Sequence, residues 1–272
     1  MTLWEQKPVK RTRMEVQVAA EVAREAGALL RGLADSGLRA ELKASDVDLV
    51  TEADRRSEAL VTRRLREHFP DCGIVAEEGT AQPSTSGVCF IIDPLDGTTN
   101  FAHRFPHYSV SITIEEHGVV VGGVVYDVPK GELFSAERGL GAWLNGSPLR
   151  VSEVESLDKA LLATGFPYDR KTSPLNNLDH YARLKMLTHG IRRAGSASLD
   201  LCYVAAGRLD GYWEMKLKPW DVGAGALVVV EAGGRVSDLR GGPFDWSGAQ
   251  TVATNGRFHD ALLAELAHGL LP

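Results

Sequence analysis

The chain has 272 residues, 44% of them hydrophobic and 24% charged, which is the balance of an ordinary globular protein with one body of two lobes. Its formal charge of -6 excludes direct nucleic-acid binding as its main business, because neutralising phosphates takes clustered Lys and Arg. No apolar run approaches the roughly 20 residues that span a bilayer, and the first residues lack the apolar stretch of a secretion signal.

Residues 14–34 repeat apolar positions at helical spacing (Val18, Val22, Ala26, Leu29, Leu30, Leu33) and predict an amphipathic helix. Lys43 to Val50 is polar and reads as a loop or hairpin. Thr51 and Asp54 form a capping-box pattern for a second helix, which stops at Pro70. Then the period changes. Val88-Cys89-Phe90-Ile91-Ile92 is a continuous apolar run of the kind found in buried strands, and strand-like segments follow at 110–114, 119–126 and 132–136. Gly139-Leu140-Gly141 lies among them and reads as a turn rather than as part of a nucleotide-binding pattern.

Beyond about residue 155 helices and strands alternate. Ser173 is expected to cap a helix with Pro174 in its first turn and a stop at Gly190. Two more helices are expected at Ala197–Ala206 and Val222–Ala232, each closed by glycine, and a last one at Arg257–Leu270. Leu209–Glu214 and Thr251–Ala253 are strand candidates. The expected organisation is a layered α/β body, with an N-terminal α+β lobe over 1–150, mainly antiparallel, and a C-terminal α/β lobe over 151–272. Three cysteines, Cys72, Cys89 and Cys202, have no metal-ligand spacing and are expected to be free thiols in a reducing cytoplasm.

The most informative segment is Asp93-Pro94-Leu95-Asp96-Gly97-Thr98-Thr99-Asn100. A buried strand delivers two carboxylates three residues apart, with Pro94 fixing a backbone angle between them. Such a turn can aim both carboxylates and the Leu95 carbonyl at one spot, and the N–H groups after Gly97 suit a phosphate. Hard oxygen donors call for magnesium or manganese, and no His or Cys stands by to favour zinc. Taken alone, the same residues fit an Asp-Pro turn with an Asx hydrogen bond equally well. The three-residue spacing does not fit the aspartyl-phosphate phosphatases, whose paired aspartates lie two apart. Two further acidic clusters are Glu77-Glu78, which alone would be solvated loop residues, and Asp221, which alone would be a helix cap. His103 and His107 follow the motif closely but are expected only to pack at the surface or in a loop.

Asp93-Pro94-Leu95-Asp96-Gly97-Thr98-Thr99-Asn100-Phe101, Glu77-Glu78-Gly79 and Trp220-Asp221-Val222-Gly223-Ala224-Gly225 resemble the signature segments of the inositol monophosphatase family. Val47-Asp48-Leu49-Val50-Thr51, Gly195-Ser196-Ala197, Glu214 and Glu231-Ala232-Gly233-Gly234 agree in order and spacing. The resemblance spans about 15 to 265. It implies a five-layer αβαβα sandwich, a homodimer, and lithium-sensitive, magnesium-dependent hydrolysis of a small phosphate monoester, first of all myo-inositol monophosphate. It further implies metal ligands at Glu77, Asp93, the Leu95 carbonyl, Asp96 and Asp221, for two or three Mg2+ ions, with Mn2+ an alternative. Thr98 and Asp54 would handle the proton of the attacking water together with Glu77. Gly97 and Thr98 would hold the phosphate, and Gly195, Ser196, Ala197 and Glu214 the organic part. Lys43 and Asp48 stand open between a third, weak metal site and loop decoration. Relatives of this architecture act on fructose 1,6-bisphosphate, 3'-phosphoadenosine 5'-phosphate or histidinol phosphate, and some bacterial members work in transcription antitermination through protein contacts.

Overall fold

The computed structural model describes residues 12–36, 41–42, 49–50 and 52–269. The expectations for Lys43, Asp48 and Thr51 lie outside the described residues. In chain order the elements are α1 (Met14–Ser36), β1 (Glu41–Leu42), β2 (Leu49–Val50), α2 (Glu52–His68), β3 (Gly73–Ala76), β4 (Ala81–Gln82), β5 (Val88–Asp96) and α3 (Thr98–Ala102). There follow β6 (Ser109–Glu116), β7 (Val119–Asp127), β8 (Glu132–Glu137), β9 (Gly141–Leu144), β10 (Ser147–Pro148), β11 (Leu161–Thr164), α4 (Leu178–Leu187) and β12 (Gly190–Arg192). The chain continues with α5 (Ala197–Ala205), β13 (Gly211–Met215), α6 (Pro219–Glu231), β14 (Arg235–Ser237), β15 (Gln250–Thr254) and α7 (His259–Leu266).

Two large sheets result. The first has eight strands in the order β10-β9-β8-β7-β6-β5-β3-β4, antiparallel except for β3 beside β5. The second has five, in the order β12-β11-β13-β15-β14. Short turns join consecutive strands from β6 to β10, which favours antiparallel pairing, and β5 reaches β6 through α3. Helices α4 and α5 lead into β12 and β13, and β11 runs parallel to both.

Three apolar cores separate the layers. Val22, Ala26 and Leu30 of α1 and Val61 and Leu65 of α2 pack with Ile74, Phe90, Ile92 and Ile112 on one face of the first sheet. The opposite face contributes Val125 and Phe134, which meet Leu199 and Leu201 of α5, Leu227 and Val228 of α6, and Tyr212 and Ala253 of the second sheet. Leu184 of α4 and Leu262 of α7 close over Leu162, Trp213 and Val252 on the second sheet's outer face. The expected αβαβα sandwich is the observed arrangement. The two helices of the middle layer are rich in small residues because they are covered on both sides. At Gly123 of β7 a β-carbon would lie 2.8 Å from the Cα of Ala224, so only glycine lets α6 lie this close to the sheet.

Some boundaries differ from the sequence reading. The helix expected from Ser173 begins instead at Leu178, with Asn177 before it in a left-handed conformation (φ 69°). Asn177 is held by tertiary bonds: its amide donates to the Thr164 hydroxyl and the Gly165 carbonyl, and its oxygen accepts from the Trp213 indole. The helix expected at Val222 starts three residues earlier, with Pro219 in its first turn, and the closing helix is shorter than expected. Gly139 to Gly141 is a turn, as expected, and the amides of Gly139 and Gly141 donate to the Glu231 carboxylate.

Candidate active site

On a regular strand, residues three apart point to opposite faces. Asp93 and Asp96 escape this because β5 carries a bulge. Asp93 lies opposite Ser111 and Asp96 opposite Ser109, so three steps on β5 match two on β6. The extra residue falls at Pro94-Leu95, where proline has no N–H to contribute to the ladder. Both carboxylates therefore turn to the same side. The Asp93 Oδ1 accepts the N–H of Leu95 at 3.0 Å, and the Pro94 carbonyl accepts the Ser57 hydroxyl of α2 at 2.8 Å.

Gly97 follows with φ 101°, a left-handed value that favours glycine and turns the chain straight into α3. The Thr98 hydroxyl lies 3.0 Å from the Asp54 carboxylate on α2 and 3.2 Å from the Leu95 carbonyl, both of them acceptors. The Asn100 amide donates to the carbonyls of His107 and Ala194, tying this turn to the segment before α5.

Neighbouring strands and a helix end bring the other two acids in. Glu77 follows β3, and its N–H donates to the Ile92 carbonyl next to Asp93. The turn beyond it is clamped by Glu58 of α2, whose carboxylate accepts the N–H groups of Glu78 and Thr80 and the Thr80 hydroxyl. Asp221 is the third residue of α6, and its Oδ2 accepts the Lys218 N–H at 2.7 Å, satisfying one of the free amides at the helix start. Ser111, opposite Asp93, donates to the Trp220 carbonyl and holds that helix end against β6.

The electrostatics follow from this convergence. Asp93 is 1% exposed, and its pKa stands well above the ordinary carboxylate range, through burial first and then the charges of Glu77, Asp96 and Asp221. Asp221 is raised by burial, Glu77 and Asp96. Glu77 is raised to about 7, by burial and then Glu78, Asp54 and Asp96, while a hydrogen bond with Asp93 opposes the rise. Glu77 keeps exposed surface and Asp221 is partly exposed, so water reaches that side of the cleft and tempers the effect there. Asp96 is also raised by burial, against donors from the hydroxyl of Ser196 (2.7 Å) and the N–H and hydroxyl of Ser198 (2.8 and 2.6 Å). Among the described residues, no Lys or Arg forms an ion pair with any of the four.

Buried like charges are costly without a counter-ion, and such a cluster suits a cation. The donor set is all oxygen, which suits a hard divalent ion such as magnesium. Glu77 and Asp93 are hydrogen-bonded, but among the described residues no three His, Cys, Asp or Glu side chains already form a metal-holding group. Asp93, Asp96 and Asp221 each use one oxygen in bonds to the protein.

On the other side of Asp96 stand the residues expected to meet the organic part. Gly195 precedes α5, Ser196 and Ala197 begin it, and Glu214 lies on β13 facing the same interior. Ser196 commits its hydroxyl to Asp96. Glu214 accepts the Tyr212 hydroxyl and is raised to about 7, by burial above all, with Tyr212 and Arg193 opposing. Sequence reasoning missed several neighbours. Ser198 and Ser109 extend the hydroxyl cluster at Asp96. Asp200 is buried and well above its ordinary pKa, through burial and then Glu214. Tyr168, 69% exposed, stands at the rim of this acid cluster. An Asp in the first turn of α5 was the one visible signal; the rest depend on the fold. His103 is exposed. His107 is buried against Tyr203 with ring centroids 5.8 Å apart, and burial lowers its pKa to about 4. Both fit the packing expected of them.

Residues 13–271 match the model of the inositol monophosphatase family. An inositol-1-monophosphatase of Synechocystis sp. is 46% identical over 253 residues, which covers 93% of this chain and 88% of that protein. A Pseudomonas aeruginosa protein named Nus factor SuhB is 44% identical over 265 residues, 94% of this chain and 97% of that one. Among solved structures, the inositol monophosphatase of Anabaena (Nostoc) sp. superposes with a TM-score of 0.85 at 43% identity, covering 93% of this chain and 95% of that one. Matched in this way in sequence and in overall fold, the chain belongs to the inositol monophosphatase family and is a phosphoric monoester hydrolase.

Proposed function

We propose that the cleft hydrolyses a small polyol phosphate monoester, with myo-inositol monophosphate as the first substrate to try, and that Glu77, Asp93, the Leu95 carbonyl, Asp96 and Asp221 hold two or three magnesium ions. The observation that carries this reading is the β5 bulge, which turns Asp93 and Asp96 to one side among acids that form no ion pair with a Lys or Arg among the described residues. Bound there, magnesium would offset the phosphate charge, make water a better nucleophile and stabilise the leaving oxygen.

The remaining steps belong to the chain's own groups. The phosphate lies against the N–H groups of Gly97 and Thr98. Thr98 donates its one hydroxyl proton toward Asp54 and keeps lone pairs to accept a proton from the attacking water, so the proton leaves through Thr98 to Asp54. Glu77 orients the same water from the opposite wall. The Glu214 carboxylate and backbone groups of Gly195, Ser196 and Ala197 receive the ring hydroxyls of the polyol. On this reading the N-terminal half carries most of the metal chemistry and the C-terminal half supplies Asp221 and the substrate contacts. The enzyme acts in the cytoplasm as a homodimer, for which exposed Leu178 and Met186 on α4 offer an apolar contact.

The test is phosphate release with magnesium from a panel holding inositol monophosphate, fructose 1,6-bisphosphate, 3'-phosphoadenosine 5'-phosphate and histidinol phosphate. Preference for inositol monophosphate is the expected result, and a clear preference for another member reassigns the substrate. The likeness to a protein named Nus factor SuhB favours a second role through protein contacts in transcription. Capture of transcription proteins by both the wild type and an Asp93→Asn variant would separate that role from catalysis.

A further inference from the structure

Between β11 and α4 the chain runs through Gly165-Phe166-Pro167-Tyr168-Asp169. Two contacts fix this loop against the end of β13. At its start, Gly165 lies so close to Glu214 that a β-carbon there would run into the carboxylate. Further on, Lys216, two residues past Glu214, donates its ammonium to the Asp169 carboxylate at 2.7 Å and to the Ser173 hydroxyl at 2.8 Å. Between these points Phe166 packs against Tyr181 of α4, with ring centroids 5.6 Å apart. The Arg170 N–H donates to the Pro167 carbonyl at 3.1 Å, and the Thr172 and Ser173 N–H groups donate to the Asp169 carbonyl, both at 2.9 Å. Tyr168 thus occupies the second position of a hydrogen-bonded turn, held in place by the strand end that presents Glu214.

Tyr168 leaves 69% of its surface exposed, which is ordinary for a scattered aromatic. Its position is not. The phenol lies within electrostatic reach of Glu77 after β3, of Asp221 on α6, and of Asp93 and Asp96. The loop starts at Glu214 and its tyrosine reaches the acids, so the side chain bridges the two halves of the site along the rim. A tyrosine ring there offers a rigid apolar face with few rotamers to lose. A cyclic polyol carries hydroxyls at its edge and C–H groups on its faces. Those C–H groups need an apolar wall, which neither the acids nor Glu214 provide.

We propose that Tyr168 is a further specificity-determining residue, whose ring packs on the C–H face of the substrate's organic ring while Glu214 takes the hydroxyls at its edge. This role rests on the phosphate monoester reading of the cleft. It adds a selection that Glu214 does not make by itself, for a flat-faced ring over an open chain.

The test compares kcat/KM of the wild type, Tyr168→Ala and Tyr168→Phe at saturating magnesium. The two substrates are inositol monophosphate and glycerol 3-phosphate, whose organic part is an open chain. Tyr168→Ala should lose about three- to tenfold on inositol monophosphate, the usual worth of an aromatic contact, mostly through KM. It should change little on glycerol 3-phosphate. Tyr168→Phe keeps the ring and should stay near the wild type on both. No loss in Tyr168→Ala, an equal loss on the two esters, or a fall in kcat with a raised magnesium requirement would each overturn the assignment. So would a Phe variant as impaired as the Ala variant, because the hydroxyl and not the ring would then carry the contact. The polyol reading fails separately, in the wild type alone. Should the wild type prefer fructose 1,6-bisphosphate, 3'-phosphoadenosine 5'-phosphate or histidinol phosphate, that ring-bearing ester replaces inositol monophosphate, and the ratios of variant to wild type decide as before.

Discussion

Two aspartates at strand positions of the first sheet are equally hidden from water and have opposite surroundings. Asp127, at the end of β7, is 0% exposed. It accepts the Tyr203 hydroxyl at 2.8 Å, the Lys130 ammonium at 3.0 Å and the Lys130 N–H at 3.1 Å. Asp93, on the β5 bulge, is 1% exposed. It accepts one backbone N–H and faces three more carboxylates. The first is a charge the fold has satisfied, and removing a partner would expose the cost of burying it. The second is a charge the fold leaves for something else to satisfy. If Asp93 holds metal as proposed, the difference separates a structural acid from a functional one.

The sharpest way to break this comparison is to remove each charge at constant size. Asp93→Asn should lower turnover by at least about two orders of magnitude, the usual consequence of deleting a principal electrostatic group, with thermal stability held or raised. Near wild-type turnover at saturating magnesium would sink the metal assignment. Glu214→Gln should come next, with a roughly ten- to hundredfold loss of kcat/KM on inositol monophosphate and much less on a phosphate ester without ring hydroxyls. An equal loss on both would move Glu214 from substrate recognition to the fold. Asp127→Asn should reverse the Asp93 pattern: urea unfolding should report a loss of about 1–3 kcal/mol, while each folded molecule stays active.

A smaller effect follows from pH. Asp93, Asp96, Asp221, Glu77 and Glu214 all have folded pKa values above their ordinary ones, Glu77 and Glu214 at about 7. The folded state therefore holds protons that the unfolded state gives up. Their contribution to stability is full below the ordinary carboxylate range and is lost as pH rises through about 7. Metal-free protein should melt at a lower temperature at pH 8 than at pH 5, with magnesium narrowing the gap. A metal-free melting point that climbs over that interval would contradict the picture of uncompensated acids.

Much of this was readable before any fold was known. An apolar run ending in Asp-Pro-Leu-Asp-Gly marks a buried strand delivering acids to a turn, because burial fixes the run and Pro and Gly fix its end. The bulge was not readable, since it is defined only by pairing with Ser109 and Ser111. Nor was the role of Ser198, whose bond to Asp96 joins residues 102 positions apart. The late start of α4 has the same origin. Ser173 and Pro174 are good local helix-start residues, but Asn177 is engaged by Thr164, Gly165 and Trp213, and tertiary bonds outweigh local preference.

The contact between Gly123 and Ala224 has a further consequence for how damage would spread through the molecule. A methyl group at position 123 would meet main-chain atoms of α6, which cannot swing aside as a side chain can. The helix would have to slide along the sheet, taking Asp221, three residues before the contact, out of line with Asp93. Its far end is tethered through Glu231 to the β8–β9 turn, so the shift would be felt mostly at the cleft. Gly123→Ala should therefore yield a protein that still folds cooperatively but has lost much of its turnover, with a raised magnesium requirement. A cooperative fold with unchanged magnesium dependence would mean that the layers absorb the displacement elsewhere. A screen that scored only folding would pass this lesion as harmless.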